Sequence, residues 1–424
     1  MKHYSFLLIL FMVLCLSLGN GNKAQAGSLK TRGVWVSCFE FEELGLKDKT
    51  EAQFRANANK IFATIRANGC NTVYFHVRAY DDAIYPSSVA GFSKYISSDG
   101  KAPGYDPLKI LVSLAHSHKL KIHAWMNPYR VSSTKILDPA SETTTVRIVN
   151  QVKEIINRYA VDGIHFDDYF YPTNIKKYKK VPAATRRQNV NVMVRKVYQA
   201  VKQKKKSLKF GISPAGDITY CEKIGADVRT WLSQSGYVDY IIPQIYWSNN
   251  YIMSGKKTAL FNERLAKWRE INKRDVPMYV GLALYKTGYS LKEDPGWKKS
   301  SGNIASQIRL IRSGNTEGYV FFAYKDLIRS GAAKELKKYY KAIGKITLNK
   351  KKKTLRTGKK YRLKASFWPA NLHGKIKWKS SNKKIASVSK KGIVKAKKKG
   401  TVRIYATYGT MKKSCKIIVK KKRK

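Results

Sequence analysis

The sequence predicts an α/β chain in two parts, a (β/α)8 TIM barrel followed by a small all-β Ig-like sandwich. Three observations predict it. From Gly33 to Ile343 short β-rich runs alternate with segments of helical period, the pattern of parallel strands joined by crossover helices. After Gly344 the helical period disappears, and short alternating strands follow, punctuated by Gly and Asn. The 424 residues also exceed what one hydrophobic core usually supports, whereas a barrel of about 250 residues or more with a small second domain accounts for them.

The elements follow in order. Gly33 to Phe39 reads as the first strand, Ala52 to Arg66 as its helix and Thr72 to Val77 as the second strand. A loop rich in Asp, Ser, Gly and Pro leads to a helix at Pro107 to His118, a third strand at Lys121 to Met126 and a helix from Thr144 to Tyr159. Strand four is Gly163 to Asp167, its helix Thr185 to Gln203, and strand five Lys209 to Ser213. Asp227 to Ser233 supplies a short helix before strand six, Tyr240 to Ile245. Strands seven and eight are Met278 to Ala283 and Gly318 to Phe322, with helices at Leu260 to Ile271, Ile304 to Arg312 and Ala332 to Ile343. The domains predicted are residues 31–343 and 345–420, with a basic tail to 424.

At the N-terminus Lys2 and His3 precede an apolar run from Phe6 to Leu18, and Ala24-Gln25-Ala26 offers small residues at the spacing of a cleavage site. Residues 1–26 are therefore expected to be a signal peptide, and the mature protein to be secreted and associated with the cell wall. No later stretch reaches the roughly 20 apolar residues of a membrane helix, so no transmembrane segment is expected after cleavage. Cys38, Cys70, Cys221 and Cys415 are scattered without a C-x-x-C pair, which argues against a disulfide framework or a thiolate metal site.

The net charge of +57 is concentrated, because residues 345–424 carry 30 Lys or Arg and no Asp or Glu. Such a field attracts polyanions and is screened by salt. Teichoic-type wall polymers and anionic lipid head groups both qualify, and an export-type N-terminus makes an anionic wall or surface polymer the expected partner of this module, ahead of a merely solvated surface. Nucleic acid is not expected; as the rival reading it would show steeply salt-dependent binding to residues 345–424.

A barrel carries its chemistry at the C-terminal ends of its strands. The fourth strand ends in Asp162-Gly163-Ile164-His165-Phe166-Asp167-Asp168-Tyr169. With Ile164 and Phe166 facing the outer helices, His165, Asp167 and Tyr169 face the axis and the mouth. Paired carboxylates suit glycoside hydrolysis, in which one protonates the leaving oxygen and another attacks or activates water. Asp-Asp pairs elsewhere usually cap helices or close loops, but position favours chemistry for Asp167 and Asp168. Asp82 ranks first as a further carboxylate, ahead of Glu40, Asp217 and Asp326, all near strand ends.

Sugar rings need aromatic platforms beside hydrogen-bonding groups. Trp125, Asn127, Tyr129 and Arg130 at the end of strand three and after it supply that mixture, as do Gln244, Tyr246 and Trp247 at the end of strand six and after it, Tyr285 after strand seven, and Arg78 and Tyr169 beside the carboxylates. His123 reads as a hydrogen-bonded barrel residue. His116 and His118 are two apart on a helix and point in different directions, so no metal site is expected. No phosphate loop or dinucleotide fingerprint is present, and no cofactor is expected.

Several blocks carry a resemblance: Arg32-Gly33-Val34-Trp35-Val36, Phe75-His76-Val77-Arg78-Ala79-Tyr80-Asp81-Asp82-Ala83, His123-Ala124-Trp125-Met126-Asn127-Pro128-Tyr129-Arg130, Asp162 to Tyr169, Gly211-Ile212-Ser213-Pro214 and Pro243-Gln244-Ile245-Tyr246-Trp247. Over some 300 residues the chain resembles the bacterial glycosyl-hydrolase-like TIM-barrel family that includes the divisome-localised hydrolase of denuded peptidoglycan. The resemblance implies a glycoside hydrolase acting on a cell-wall glycan, with Asp167 or Asp168 as its carboxylate; a catalytically inert glycan-binding protein is the alternative. His76 and Ala215-Gly216-Asp217 depart from the family's pattern and bear on substrate preference. Strand four is also similar to the chitinase signature D-G-x-D-x-D-x-E, but His165 and Tyr169 replace an Asp and the Glu, so that acetamido-assisted mechanism is not expected. Residues 345–420 resemble the bacterial Ig-like group 2 domain through Lys377-Trp378-Lys379-Ser380-Ser381-Asn382, Ile385 to Val388, Gly392 to Ala396 and Gly400-Thr401-Val402.

Overall fold

The computed structural model describes residues 29–421, apart from 168–169, 173–175, 299–300 and 315. The expected signal peptide at 1–26, Asp168, Tyr169 and the end of the basic tail lie outside the described residues.

Eight parallel strands form the barrel: β1 (Thr31–Val36), β2 (Thr72–Arg78), β3 (Lys121–Met126), β4 (Gly163–Phe166), β5 (Lys209–Ile212), β6 (Tyr240–Ile241), β7 (Tyr279–Leu282) and β8 (Gly318–Phe321). They are ordered β7-β8-β1-β2-β3-β4-β5-β6. The ring closes through the bridges Ile241 to Met278 and Gln244 to Gly281. β6 stops four residues short of the expected Ile245, because Pro243 has no N–H to give a ladder. Single bonds continue it, Ile242 N–H to Ile212 O at 2.9 Å, Gln244 N–H to Pro214 O at 3.0 Å and Gly281 N–H to Pro243 O at 2.9 Å.

Four of the crossover helices start where the sequence provides a side-chain cap. In α1 (Glu51–Ala67) Thr50 and Gln53 form a capping box, and in α2 (Pro107–Ser117) the Asp106 side chain caps ahead of Pro107. Ser141 caps α3 (Glu142–Arg158). Next come α4 (Ala183–Lys204), α5 (Val228–Ser233), α6 (Leu260–Ile271), α7 (Asn303–Arg312) and α8 (Ala333–Ile343). α1 buries Phe54, Ala58, Ile61, Phe62 and Ile65, a spacing of three, four and one that makes a single apolar stripe against the sheet. An additional helix at Ile218–Lys223, capped by Asp217, was not expected from the sequence.

The barrel has an outer core between sheet and helices and a separate interior core. The interior is filled mainly by the rings of Trp35, Tyr74, Trp125 and Tyr240, with Ile242 and Val320 as its aliphatic members. Glycines make room for these rings: a Cβ on Gly211 would lie 2.3 Å from the Tyr240 ring, and one on Gly33 2.8 Å from that of Tyr74. The four cysteines from Cys38 onward are buried free thiols. Among the described residues no helix is long and apolar enough to cross a membrane.

The C-terminal module is all β: β9 (Lys345–Leu348), β10 (Lys352–Arg356), β11 (Lys360–Arg362), β12 (Ala365–Trp368), β13 (Lys377–Ser380), β14 (Ala386–Val388), β15 (Ile393–Ala396), β16 (Gly400–Tyr408) and β17 (Met411–Lys420). Sheet β10-β17-β16-β13 faces sheet β11-β15-β14 over a core that includes Leu363, Val394, Ile404, Cys415 and Ile417. The module docks beside the N-terminal ends of β1 and β2. There the Arg32 guanidinium lies 4.8 Å from the centre of the Trp368 ring, Asn371 Nδ2 donates to Asn68 Oδ1 at 3.1 Å, and Leu372 joins the barrel's outer core. The basic module therefore sits on the face of the barrel opposite the mouth.

Candidate active site

β4 places its side chains as strand alternation requires, with Ile164 and Phe166 in the outer core and His165 in the interior. One residue on, at the mouth, stands Asp167. Its backbone N–H donates to Met126 O at 3.2 Å, which fixes it against the end of β3. Gln244 orients the carboxylate: Nε2 donates to Asp167 Oδ1 at 3.0 Å and to Ser213 O at 3.1 Å. The ends of β4, β5 and β6 thus meet at one amide.

Asp167 lines a cleft of about 210 Å³ with Phe39, Ala79, Tyr80, Trp125, Asn127, Arg130 and Ser133. The Trp125 indole N–H donates to Asn127 Oδ1 at 2.9 Å, and Asn127 Nδ2 donates to Ala79 O at 3.1 Å, so ring and amide are held as a unit. His76 stacks on the Trp125 ring at 3.7 Å with 6° between the planes. Burial pushes this imidazole down to about 3 and keeps it a neutral, flat support.

Below the floor runs a chain of buried polar rings. The Trp35 indole N–H donates to His165 Nε2 at 3.0 Å, which leaves His165 Nδ1 to carry the proton toward Tyr240 Oη at 3.3 Å. The Tyr240 hydroxyl can then donate to His123 Nδ1, 2.9 Å away. His123, expected to be a hydrogen-bonded barrel residue, is one. Burial lowers His123 to about 4 and His165 well below the ordinary imidazole value, so the chain is neutral.

The residues expected at the mouth separate into three groups. Asp167, Trp125, Asn127 and Arg130 line the cleft, and Gln244 reaches it through Asp167. Arg78 and Tyr129 lie beneath the cleft rather than in it. Arg78 is 1% exposed and donates to Asn127 O at 2.8 Å, Pro128 O at 3.2 Å and Asp81 Oδ1 at 2.7 Å, while Tyr129 is buried edge-on to Phe170. Arg78 is thus a clamp on the loop after β3. Tyr246 and Tyr285 gather instead around Phe322, each about 6 Å from it, and Trp247 lies under Arg264 at 5.8 Å.

The additional carboxylates have structural partners. Asp82 Oδ1 accepts the Tyr80 N–H at 2.9 Å in a tight turn and does not line the Asp167 cleft. Glu40 accepts from Ser37 N–H at 2.8 Å and Lys325 N–H at 2.7 Å. Asp217 caps the helix at 218–223 and pairs with Arg264 at 2.6 Å, and Asp326 pairs with Arg329 at 2.7 Å. Among the described residues no cluster of His, Cys, Asp or Glu could hold a metal ion. Sequence reasoning passed over Phe39 and Tyr80 as cleft residues; both follow strand ends, which was the available signal.

The glycosyl hydrolase-like 10 family model matches residues 30–135 and 129–299, and the bacterial Ig-like domain (group 2) model matches residues 342–419. Glycosyl hydrolase YngK of Bacillus subtilis is 30% identical over 358 residues, covering 70% of this chain and 68% of that protein. Glycosyl hydrolase DigH of Escherichia coli K12 is 32% identical over 353 residues, covering 66% of this chain and 78% of that protein. Among solved structures, the PgaB glycoside hydrolase domain from Bordetella bronchiseptica superposes with a TM-score of 0.51 at 11% identity, covering 72% of this chain and 98% of that one. Catalytic domain 2 of the Ostrinia furnacalis group II chitinase also gives 0.51, at 10% identity, covering 74% of this chain and 96% of that one. At these identities the structural likeness speaks to the fold.

Proposed function

This chain belongs to the glycosyl hydrolase-like 10 family and is a glycoside hydrolase, and from that premise we propose that it cleaves the glycan strands of peptidoglycan outside the cell membrane, with Asp167 as a catalytic carboxylate. The observation that carries this reading is the Gln244-held Asp167 carboxylate in a cleft walled by Trp125, Asn127 and Tyr80. A sugar ring resting on an aromatic wall brings its glycosidic oxygen to a carboxylate that is already oriented. Asp168 follows in the chain and is the proposed second carboxylate. Peptidoglycan as substrate is supported by the motif blocks shared with the wall-hydrolase family, and export by the apolar segment within residues 1–26.

Gln244 is a positioning residue, and Gly216 guards its place. A Cβ on Gly216 would lie 2.4 Å from Gln244 O and 2.7 Å from the Trp247 ring. The backbone of Gln244 must shift to admit it, carrying the amide away from Asp167. Gly216→Ala is therefore expected to lower kcat by about 10- to 100-fold, since a displacement of roughly 1 Å in a catalytic constellation has that order of effect. Circular dichroism should show the fold retained, and wild-type turnover by a folded Gly216→Ala would remove Gln244 from the account.

The basic module is proposed to hold the enzyme on an anionic wall polymer, as its 30 cations without an acid suggest. Lys345, Lys350, Lys351, Lys412 and Lys413 line a cleft of about 430 Å³ on it. Retention on teichoic-acid-bearing walls is expected to fall at least about tenfold between roughly 0.05 and 0.5 M salt, as screening shortens the reach of exposed charges. Changing the five lysines to Gln should weaken the low-salt binding. Salt-independent retention in a wall sedimentation assay would contradict this role.

A further inference from the structure

The Asp167 cleft is small for a polymer substrate. Its 210 Å³ falls below the range of about 300–1,000 Å³ typical of ligand sites. Beside it, over the C-terminal ends of β1, β7 and β8, lies a groove of about 870 Å³. Phe39 lines both.

The groove is built from side chains that proteins normally cover. Phe39 is 67% exposed, Ile328 58%, Tyr289 52% and Tyr285 37%, and all four line it. Scattered exposed apolar residues are ordinary, but four large ones on one concavity mark a binding surface. The backbone beneath them is fixed. Ser37 and Glu40 form a capping box around the turn that carries Phe39, and the Glu40 carboxylate ties that turn to the loop after β8 through Lys325 N–H. Arg329 pins the loop after β7 by donating to Thr287 O at 2.8 Å, pairs with Asp326 at 2.7 Å and lies 5.0 Å from the centre of the Tyr289 ring. Aromatic faces held out on rigid turns, with the exposed Lys325 beside them, suit the alternating apolar faces and polar edges of a sugar chain.

We infer that this groove is a run of glycan subsites remote from the cleavage point, occupied by the same polymer strand that passes Asp167, with Phe39 as the platform at the junction. The inference rests on the glycoside-hydrolase reading of the Asp167 cleft. It makes the enzyme endo-acting: most of the binding energy comes from sugars several units away from the scissile bond, and that energy positions the reacting unit in the small cleft.

The test uses the full chain carrying Asp167→Asn, so that binding is read without turnover. Calorimetry with di-, tetra-, hexa- and octasaccharides of stem-peptide-free peptidoglycan, and a parallel series of chitin oligomers, measures affinity against length. Affinity is expected to climb with length, and Tyr289→Ala or Ile328→Ser to weaken the octasaccharide about tenfold while leaving the disaccharide unchanged. Both side chains are exposed, so folding is not at risk. If only the chitin series shows this behaviour, the peptidoglycan assignment fails and the groove stands. Affinity independent of length, or octasaccharide affinity untouched by both substitutions, would overturn the groove.

Discussion

Lowering the pH from 7 towards 4 is expected to destabilise the barrel, and the interior imidazoles set the window. His76, His123 and His165 are buried and held neutral, at about 3 for His76, about 4 for His123 and well below the ordinary value for His165. In the unfolded chain each titrates near 6.5. Between 6.5 and the folded value the unfolded state binds the additional proton, so stability is complete above 6.5 and is lost as the pH falls. Glu40 acts in the opposite sense, because burial pushes its carboxyl up to about 7 and the native state holds that proton between pH 7 and the unfolded value of 4.5. Three imidazoles oppose one carboxyl. The net loss is expected to be on the order of a few kcal/mol by pH 4. Urea melts across this range measure it, and His123→Gln, which keeps an acceptor for the Tyr240 hydroxyl, should flatten the dependence. A stability curve level from pH 7 to 4 would contradict the neutral-imidazole interior.

That interior was only partly legible in the sequence. The alternation of apolar runs such as Val34-Trp35-Val36 with segments of helical period gave the order of strands and helices, because buried parallel strands and amphipathic helices leave strong patterns. Helical period placed the helix starts to within two residues, Pro107 and Leu260 among them. The end of β6 was missed because Pro243 stops the ladder while the apolar pattern continues, and the helix at 218–223 was missed because six residues hold too little period. At the site, position at the strand ends was enough to single out Asp167, Trp125 and Asn127, which share one cleft. The partners were not readable. Whether Asp82 meets a substrate or its own Tyr80 N–H, and whether Arg78 faces solvent or clamps Asn127 and Pro128, depends on loop geometry that spacing does not encode. The large groove was invisible for a simpler reason: Phe39, Tyr289 and Ile328 are scattered over the chain and meet only when β8 closes onto β1.

Asp167→Asn is expected to reduce glycan hydrolysis by about 10³-fold, within the range for loss of a group that transfers a proton in the transition state. The substitution is nearly isosteric, and its Oδ1 can still accept from Gln244 Nε2, so the cleft should keep its shape. What is lost is the ability to take up, give or share charge with the reacting sugar. The Tm should stay within a few degrees of wild type, because Asp167 lies at the mouth and its side chain belongs to neither core. Substrate affinity should persist, since the aromatic contacts remain. A fall in kcat with KM nearly unchanged is the expected signature.

The most direct test of the central claim is the release of new reducing ends from purified, stem-peptide-free peptidoglycan by the wild-type protein beside Asp167→Asn. The account predicts soluble fragments of several sugars from the wild type and almost none from the variant. Equal release by the two would remove Asp167 from the chemistry, and no release by the wild type would contradict a peptidoglycan glycosidase.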